Sequence, residues 1–292
     1  MLSVKSPSFL LPRCLAVVIC CLTLTPSQAS RASEIGEIGE IGLSALVSAS
    51  PAEFMAFAAA AEQNARLKLD LNWTFGAKQQ RGWHLYVPLI QSLLNTDSGP
   101  ETNAFARALS NWQKSMGLSS TGVLSQDTWM KMVTVFQSRR IKDRSTPTSE
   151  RLALVSASEF FDPERPESLR YVEQQAYAAY KKIVAAASAE LALKPGSNDQ
   201  WLKIVSAFRS PAYQAQLRKQ NPRSGRAGLA VHSPHFTGRA LDVYVGGEPV
   251  STNDQNRAIQ VNTKVYRWLV KNAERFGFYP YFYEPWHWEY CP

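Results

Sequence analysis

His235 and Asp242 stand seven residues apart in S-P-H-F-T-G-R-A-L-D, and Glu284 and His287 stand three apart in E-P-W-H-W. Imidazole nitrogen and carboxylate oxygen are both good zinc ligands. A hydrolytic zinc centre needs three protein ligands, an open position for water and a nearby carboxylate to take the water's proton. The two segments hold all of these parts: His235, Asp242 and His287 as ligands and Glu284 as the base. Pro234 and Gly238 argue against a helix through the first segment, so His235 is expected on a loop and Asp242 entering a strand, with Gly238 making the turn. Pro285 likewise argues for an extended or turning second segment. Trp286 and Trp288 would wall the site and exclude bulk water. Ser233 would orient the loop by side-chain to backbone hydrogen bonding. His232 would be a fourth ligand only at the cost of the open position, so a rim role is expected for it.

The elements that must position these residues are read from periodicity and punctuation. Leu202–Phe208 reads as a strand, Pro211 opens a helix to about Lys219, and Leu241–Val245 is a strand. Residues 262–276 read as a helix carrying Val265, Trp268 and Leu269. Tyr281–Tyr283 and Trp286–Tyr290 are strand-like. A long helix with Leu169, Val172, Ala176, Tyr180, Ile183, Ala187 and Leu191 on one face precedes them, ending at Pro195-Gly196. Helix and strand that do not alternate regularly indicate an α+β domain over 167–292.

Upstream, 76–136 reads as a compact unit of three helices. Leu85, Leu89, Ile90, Leu93 and Leu94 fit the first. Phe105, Ala108, Leu109, Trp112 and Met116 fit the second, and Trp129, Met132 and Val133 the third, N-capped by Ser125. Residues 137–166 are polar and read as a linker. Residues 30–75 read as a low-complexity lead-in, with the repeat E-I-G-E-I-G-E-I-G from Glu34 to Gly42, followed by a helix over 51–69 with Pro51 near its start.

Residues 1–29 have the marks of a secretory signal: Lys5 and Arg13, an apolar run over 14–24, and the small-residue site Ser27-Gln28-Ala29. The run is too short to cross a bilayer. The chain has four cysteines, of which Cys14, Cys20 and Cys21 fall in this leader. Cleavage would leave Cys291 and no internal disulfide, so the exported protein is expected to fold on its apolar core alone. The net charge is +8, which suits an anionic wall or membrane surface. No basic stripe interleaved with aromatics argues for nucleic acid.

Two resemblances follow. The segment from Phe105 to Met132, with Ala108-Leu109, Trp112-Gln113, Gly117-Leu118, Thr121-Gly122-Val123 and Thr128-Trp129, resembles the small three-helix peptidoglycan-binding domain of bacterial wall hydrolases. S-P-H-F-T-G-R-A-L-D and E-P-W-H-W, preceded by S-A-F-R-S-P-A-Y-Q, resemble the paired motifs of zinc D,D-carboxypeptidases of bacterial cell walls. That family includes L-alanyl-D-glutamate endopeptidases and shares its fold with the hedgehog signalling domain. The likeness covers about residues 165–290. It implies zinc held by His235, Asp242 and His287, water activated by Glu284, and an oxyanion stabilised by Arg209. Ser233, Trp286 and Trp288 would contact substrate. After W-H-W the family often continues with Arg; here Glu289 follows. The expectation is therefore a secreted, monomeric zinc D-alanyl-D-alanine carboxypeptidase acting on peptidoglycan stem peptides. The alternatives are an endopeptidase of the same family and a non-catalytic wall-binding protein.

Overall fold

The computed structural model describes residues 50–193, 200–222 and 229–292. The expected leader over 1–29, the Glu34–Gly42 repeat and the Pro195-Gly196 stop lie outside the described residues. Among the described residues no helix is long and apolar enough to cross a membrane.

The first helix, α1 (Pro51–Asp70), starts on Pro51. It is not a free lead-in. The buried Asn64 donates from Nδ2 to the Gly122 carbonyl at 2.8 Å and accepts from the Leu124 N–H at 2.8 Å. A hairpin of β1 (Asn72–Phe75) and β2 (Lys78–Arg81) follows; it was not expected from the sequence. A short 3₁₀ turn over His84–Tyr86 leads into α2 (Val87–Leu93). Next come α3 (Asn103–Ser115), capped by Thr102, and α4 (Gln126–Ser138), capped by Ser125 as read from the sequence. Gln113 locks the α3–α4 turn: its Oε1 accepts from Gly122 N and its Nε2 donates to the Val123 carbonyl, both at 2.9 Å. Gly122 has φ +69°, and a Cβ there would lie 2.7 Å from the Ala106 carbonyl oxygen, so the turn requires glycine.

Residues 137–166, read as linker, are built into the fold. Ile141, Val155 and Phe160 are buried, and β3 (Leu152–Leu154) pairs antiparallel with β4 (Tyr171–Glu173). The segment is polar on average, and its few anchoring apolar residues follow neither helical nor strand period, so periodicity alone does not reveal them.

The remaining elements are α5 (Gln174–Glu190), β5 (Ile204–Ser206), α6 (Pro211–Gln220), β6 (Ala240–Val243), α7 (Asp254–Val261), α8 (Lys264–Asn272), β7 (Phe278–Pro280) and β8 (His287–Tyr290). The expected helix over 262–276 is α8 followed by a 3₁₀ turn, Ala273–Phe276. Four strands form an antiparallel sheet in the order β5-β6-β8-β7. The sheet that accompanies these helices is antiparallel throughout, and the expected mixed helix-and-sheet character holds for this region. Tyr281–Tyr283, expected as strand, instead turns tightly: the Glu284 N–H donates to the Tyr281 carbonyl at 3.1 Å, and the His287 N–H to the Glu284 carbonyl at 2.9 Å.

Pro51–Pro292 forms one compact unit. The join between its helical part and the sheet is aromatic. The Phe282 ring centroid lies 6.5 Å from Trp73, 5.5 Å from Tyr86, 6.3 Å from Trp129 and 6.2 Å from Phe136. All five side chains are buried. Aromatics each bury about 150–250 Å², so such a cluster is a major share of the core. It holds the turn that carries Glu284 from behind.

Candidate active site

Strand register brings the first two residues together. On β6 and β8, Asp242 stands directly opposite His287; on β5, Ser206 stands opposite Asp242. Side chains directly across an antiparallel pair share a face, so the carboxylate and imidazole meet without any loop. Their contact is 2.8 Å, between Asp242 Oδ1 and His287 Nδ1.

His235 arrives from a 3₁₀ turn over Pro234–Thr237 that lies just before β6. Ser233 caps the turn, its Oγ accepting from the His235 N–H at 3.3 Å. Gly238 closes it with φ +66°, and a Cβ there would come within 3.0 Å of Glu173 N and of Leu152 Cδ2. The Arg209 N–H donates to the His235 carbonyl at 3.1 Å. The His235 ring is fixed as well: Nδ1–H donates to the Ala207 carbonyl at 2.7 Å, which leaves Nε2 as the ligating atom, 3.3 Å from Asp242 Oδ2. A backbone carbonyl on one ring nitrogen selects the tautomer at the other.

One ligand atom from each of His235, Asp242 and His287 lies within 4.8 Å of the others, and all three residues are buried. Donor atoms at about 2.0–2.1 Å from a tetrahedral zinc stand about 3.3 Å apart, and two imidazoles with one carboxylate leave a fourth position open. The donor set and its spacing fit such an ion.

The electrostatics separate the two histidines. Burial first, and then the Arg209 charge, push the His235 imidazole down to about 4, so it is neutral. Burial also works against His287 in its charged form, but hydrogen bonds to Asp242 and Glu289 outweigh it and raise that imidazole to about 9. Burial opposes the charge on Asp242 too; His235 and His287 nonetheless hold its carboxyl well below the usual range.

Glu284, from the turn behind β8, lines the same cavity of about 430 Å³ as the three candidate ligands. Among the described residues no hydrogen-bond partner holds its carboxylate. Burial, above all, pushes it up to about 7. That is the range in which a carboxylate can both take and return a proton at neutral pH.

Arg209 follows β5 and lines the cavity, with Nε donating to Ser206 Oγ at 2.9 Å and one terminal nitrogen to Asp242 Oδ2 at 2.8 Å. It was expected to face an oxyanion; in this structure it holds a candidate ligand. Trp286 lines the cavity. Trp288 does not. Successive residues on a strand face opposite ways, so with His287 turned toward Asp242, Trp288 turns toward Tyr266, and its indole N–H donates to the Pro285 carbonyl at 3.1 Å. His232 lines a neighbouring shallow cavity rather than this one.

Three residues of this region were given no role at the site in the sequence reading. Glu289, on the His287 face of β8, accepts from His287 Nε2 at 3.2 Å. Arg140 pairs with Glu289 and also lies over the Tyr281 ring, 3.9 Å from its centroid. Arg257, fully buried, donates to the Tyr283 carbonyl at 3.0 Å, one residue before Glu284. A buried acid on a strand two residues from a candidate ligand is a usable sequence signal for Glu289. Arg140 and Arg257 reach the site only through tertiary contacts.

Comparison with known proteins meets this geometry at one place. Residues 169–292 match the family model VanY, D-alanyl-D-alanine carboxypeptidase. All three candidate ligands, Arg209 and Glu284 fall inside the matched residues; Lys78, Arg140 and Arg144, which line the same cavity, fall outside them. Among solved structures, that of the LdcB LD-carboxypeptidase, whose subject is peptidoglycan recognition, aligns at 24% identity over 51% of this chain and 71% of that one, with a TM-score of 0.37. No curated protein matches.

Proposed function

We propose that this chain is an exported, zinc-dependent D-alanyl-D-alanine carboxypeptidase that trims peptidoglycan stem peptides. The observation that carries the reading is the convergence of His235, Asp242, His287 and Glu284 on one cavity inside the VanY-type domain. His235 Nε2, an Asp242 oxygen and His287 Nδ1 would hold the zinc. When bound, that ion would supply Lewis acidity to the scissile carbonyl and to the attacking water. Glu284 takes the water's proton and returns it to the leaving amine, a role its burial and raised pKa support. Arg209 orients Asp242 through its 2.8 Å contact, and its guanidinium edge on the cavity supports a second role toward the developing oxyanion.

A free terminal carboxylate distinguishes a carboxypeptidase substrate. Two cations on the cavity suit it. Lys78 has no ion-pair partner among the described residues, and Arg144 spends only Nε and one terminal nitrogen on the Ile141 and His232 carbonyls. Trp286 and Ser233 complete the proposed substrate wall. We further propose that the helical region over 76–136 anchors the enzyme on the wall, where a raised local concentration needs no new contacts at the active site.

Metal analysis tests the ligand set. The purified wild type should hold one zinc per chain, and His235→Ala or His287→Ala should lose it. Full occupancy in either variant contradicts the assignment.

A further inference from the structure

Glu289 is almost completely inaccessible, at 1% exposure. A carboxylate there must be neutralised by other groups, and three groups do so. Arg140 donates to Oε1 from Nε at 2.8 Å and again from a terminal nitrogen. The Ile141 N–H donates to Oε2 at 2.6 Å. His287 Nε2 meets Oε1 at 3.2 Å. The first two come from the segment just after α4, outside the residues that match the VanY family model; the third belongs to a candidate metal ligand inside them.

We propose that Arg140 and the Ile141 N–H act as positioning groups for the metal centre: they pin Glu289, and Glu289 in turn fixes the His287 ring so that Nδ1 faces the ion. The inference rests on the zinc reading above. Four observations carry it. His287 has two ring nitrogens, and each has one carboxylate: Asp242 on Nδ1 and Glu289 on Nε2. A ring held at Nε2 by an acceptor must offer Nδ1 to the metal, which sets tautomer and orientation together. Glu289 lies two residues beyond His287 on β8, so the strand pleat puts both side chains on one face. Arg140 has a second contact on the same side, its guanidinium lying over Tyr281, whose ring lies 5.8 Å from that of His287. The other histidine ligand gets its orientation from a backbone carbonyl within the domain, Ala207. His287 gets its own from a side chain that is itself held from outside the domain. The contact therefore makes the segment that links the helical region to the sheet part of the catalytic apparatus.

The test measures zinc affinity of the full chain by competition with a chromophoric chelator. It is paired with the absorption spectrum of the cobalt-substituted protein, which reports ligand geometry independently of turnover. Arg140→Ala and Glu289→Ala should each weaken zinc binding about 10- to 100-fold, the usual consequence of losing an outer hydrogen bond to a ligating histidine. Both should shift the cobalt bands. The double variant should be no weaker than Glu289→Ala alone, because Arg140 acts through Glu289. Arg140→Lys keeps the charge but not the directed fork, so it should fall between wild type and Arg140→Ala; it and Glu289→Gln replace the alanine variants if those do not fold. Wild-type affinity and spectrum in folded Arg140 and Glu289 variants overturn the inference while leaving the zinc reading intact. A wild type that binds no zinc overturns the zinc reading itself.

Discussion

Glu284 is the residue on which the chemistry turns, and its neighbourhood explains why a glutamate can serve. It is buried, which raises its pKa, and among the described residues no hydrogen-bond donor holds its carboxylate. Glu284→Gln keeps the shape and removes the proton acceptor. Turnover should fall about a hundredfold or more with zinc content unchanged; near-normal turnover with zinc bound would mean that another group is the base. The pH profile carries the same claim. A base works only when deprotonated, so activity should be lost as pH falls through a pKa above the ordinary glutamate value of 4.5, the direction set by burial. Arg209 makes a different demand. Its link to Asp242 Oδ2 means that Arg209→Lys should reduce turnover more than it changes the Michaelis constant. A rise in the Michaelis constant alone would instead assign Arg209 to the substrate's carboxylate.

At the scale of elements, β6 and β8 do the assembling. A single register, Asp242 opposite His287, places two candidate ligands 2.8 Å apart. The same alternation explains what sequence could and could not tell. The loop and strand setting of the candidate ligands was legible because Pro234, Gly238 and Pro285 keep the four residues off α-helices. Trp288 was misread because proximity in sequence to a ligand was taken as proximity in space, whereas the pleat sends neighbours to opposite faces. Tyr281–Tyr283 carries strand-forming aromatics but is bent by the hydrogen bonds that close the Glu284 turn, so tertiary context overrode propensity. Gly238 tests the turn before β6. Its left-handed backbone disfavours any side chain, and the 3.0 Å approach to Glu173 N makes a methyl group a tight fit. Gly238→Ala should cost about 1–2 kcal/mol from conformation alone, read as a lowered melting temperature together with weaker zinc retention. An unchanged melting temperature would show that the turn relaxes freely.

At the scale of the whole molecule, the sequence suggested two modules joined by a polar linker, and the packing binds them more tightly. Phe282 sits among Trp73, Tyr86, Trp129 and Phe136, and Arg257 reaches both the Tyr86 hydroxyl, at 3.2 Å, and the Tyr283 carbonyl. The Phe282 contacts and the Arg257–Tyr86 bond join residues more than a hundred positions apart, which no local pattern encodes. Sequence reasoning alone favours a catalytic domain that survives removal of everything before residue 141. The packing predicts the reverse. Deleting 51–140 should strip the aromatic cover from the Glu284 turn and leave Glu289 buried without its cation, so the remaining chain should be aggregated or molten, or at best unable to hold zinc. A soluble, zinc-loaded and active 141–292 fragment would show that the helical region only anchors. The central claim, hydrolysis of a D-Ala-D-Ala end, is tested most directly by mass spectrometry of purified stem pentapeptide incubated with the full chain, with and without a zinc chelator. The expected result is loss of one terminal alanine, abolished by the chelator and by Glu284→Gln. Release of longer fragments, or no cleavage by the zinc-loaded protein, would contradict it.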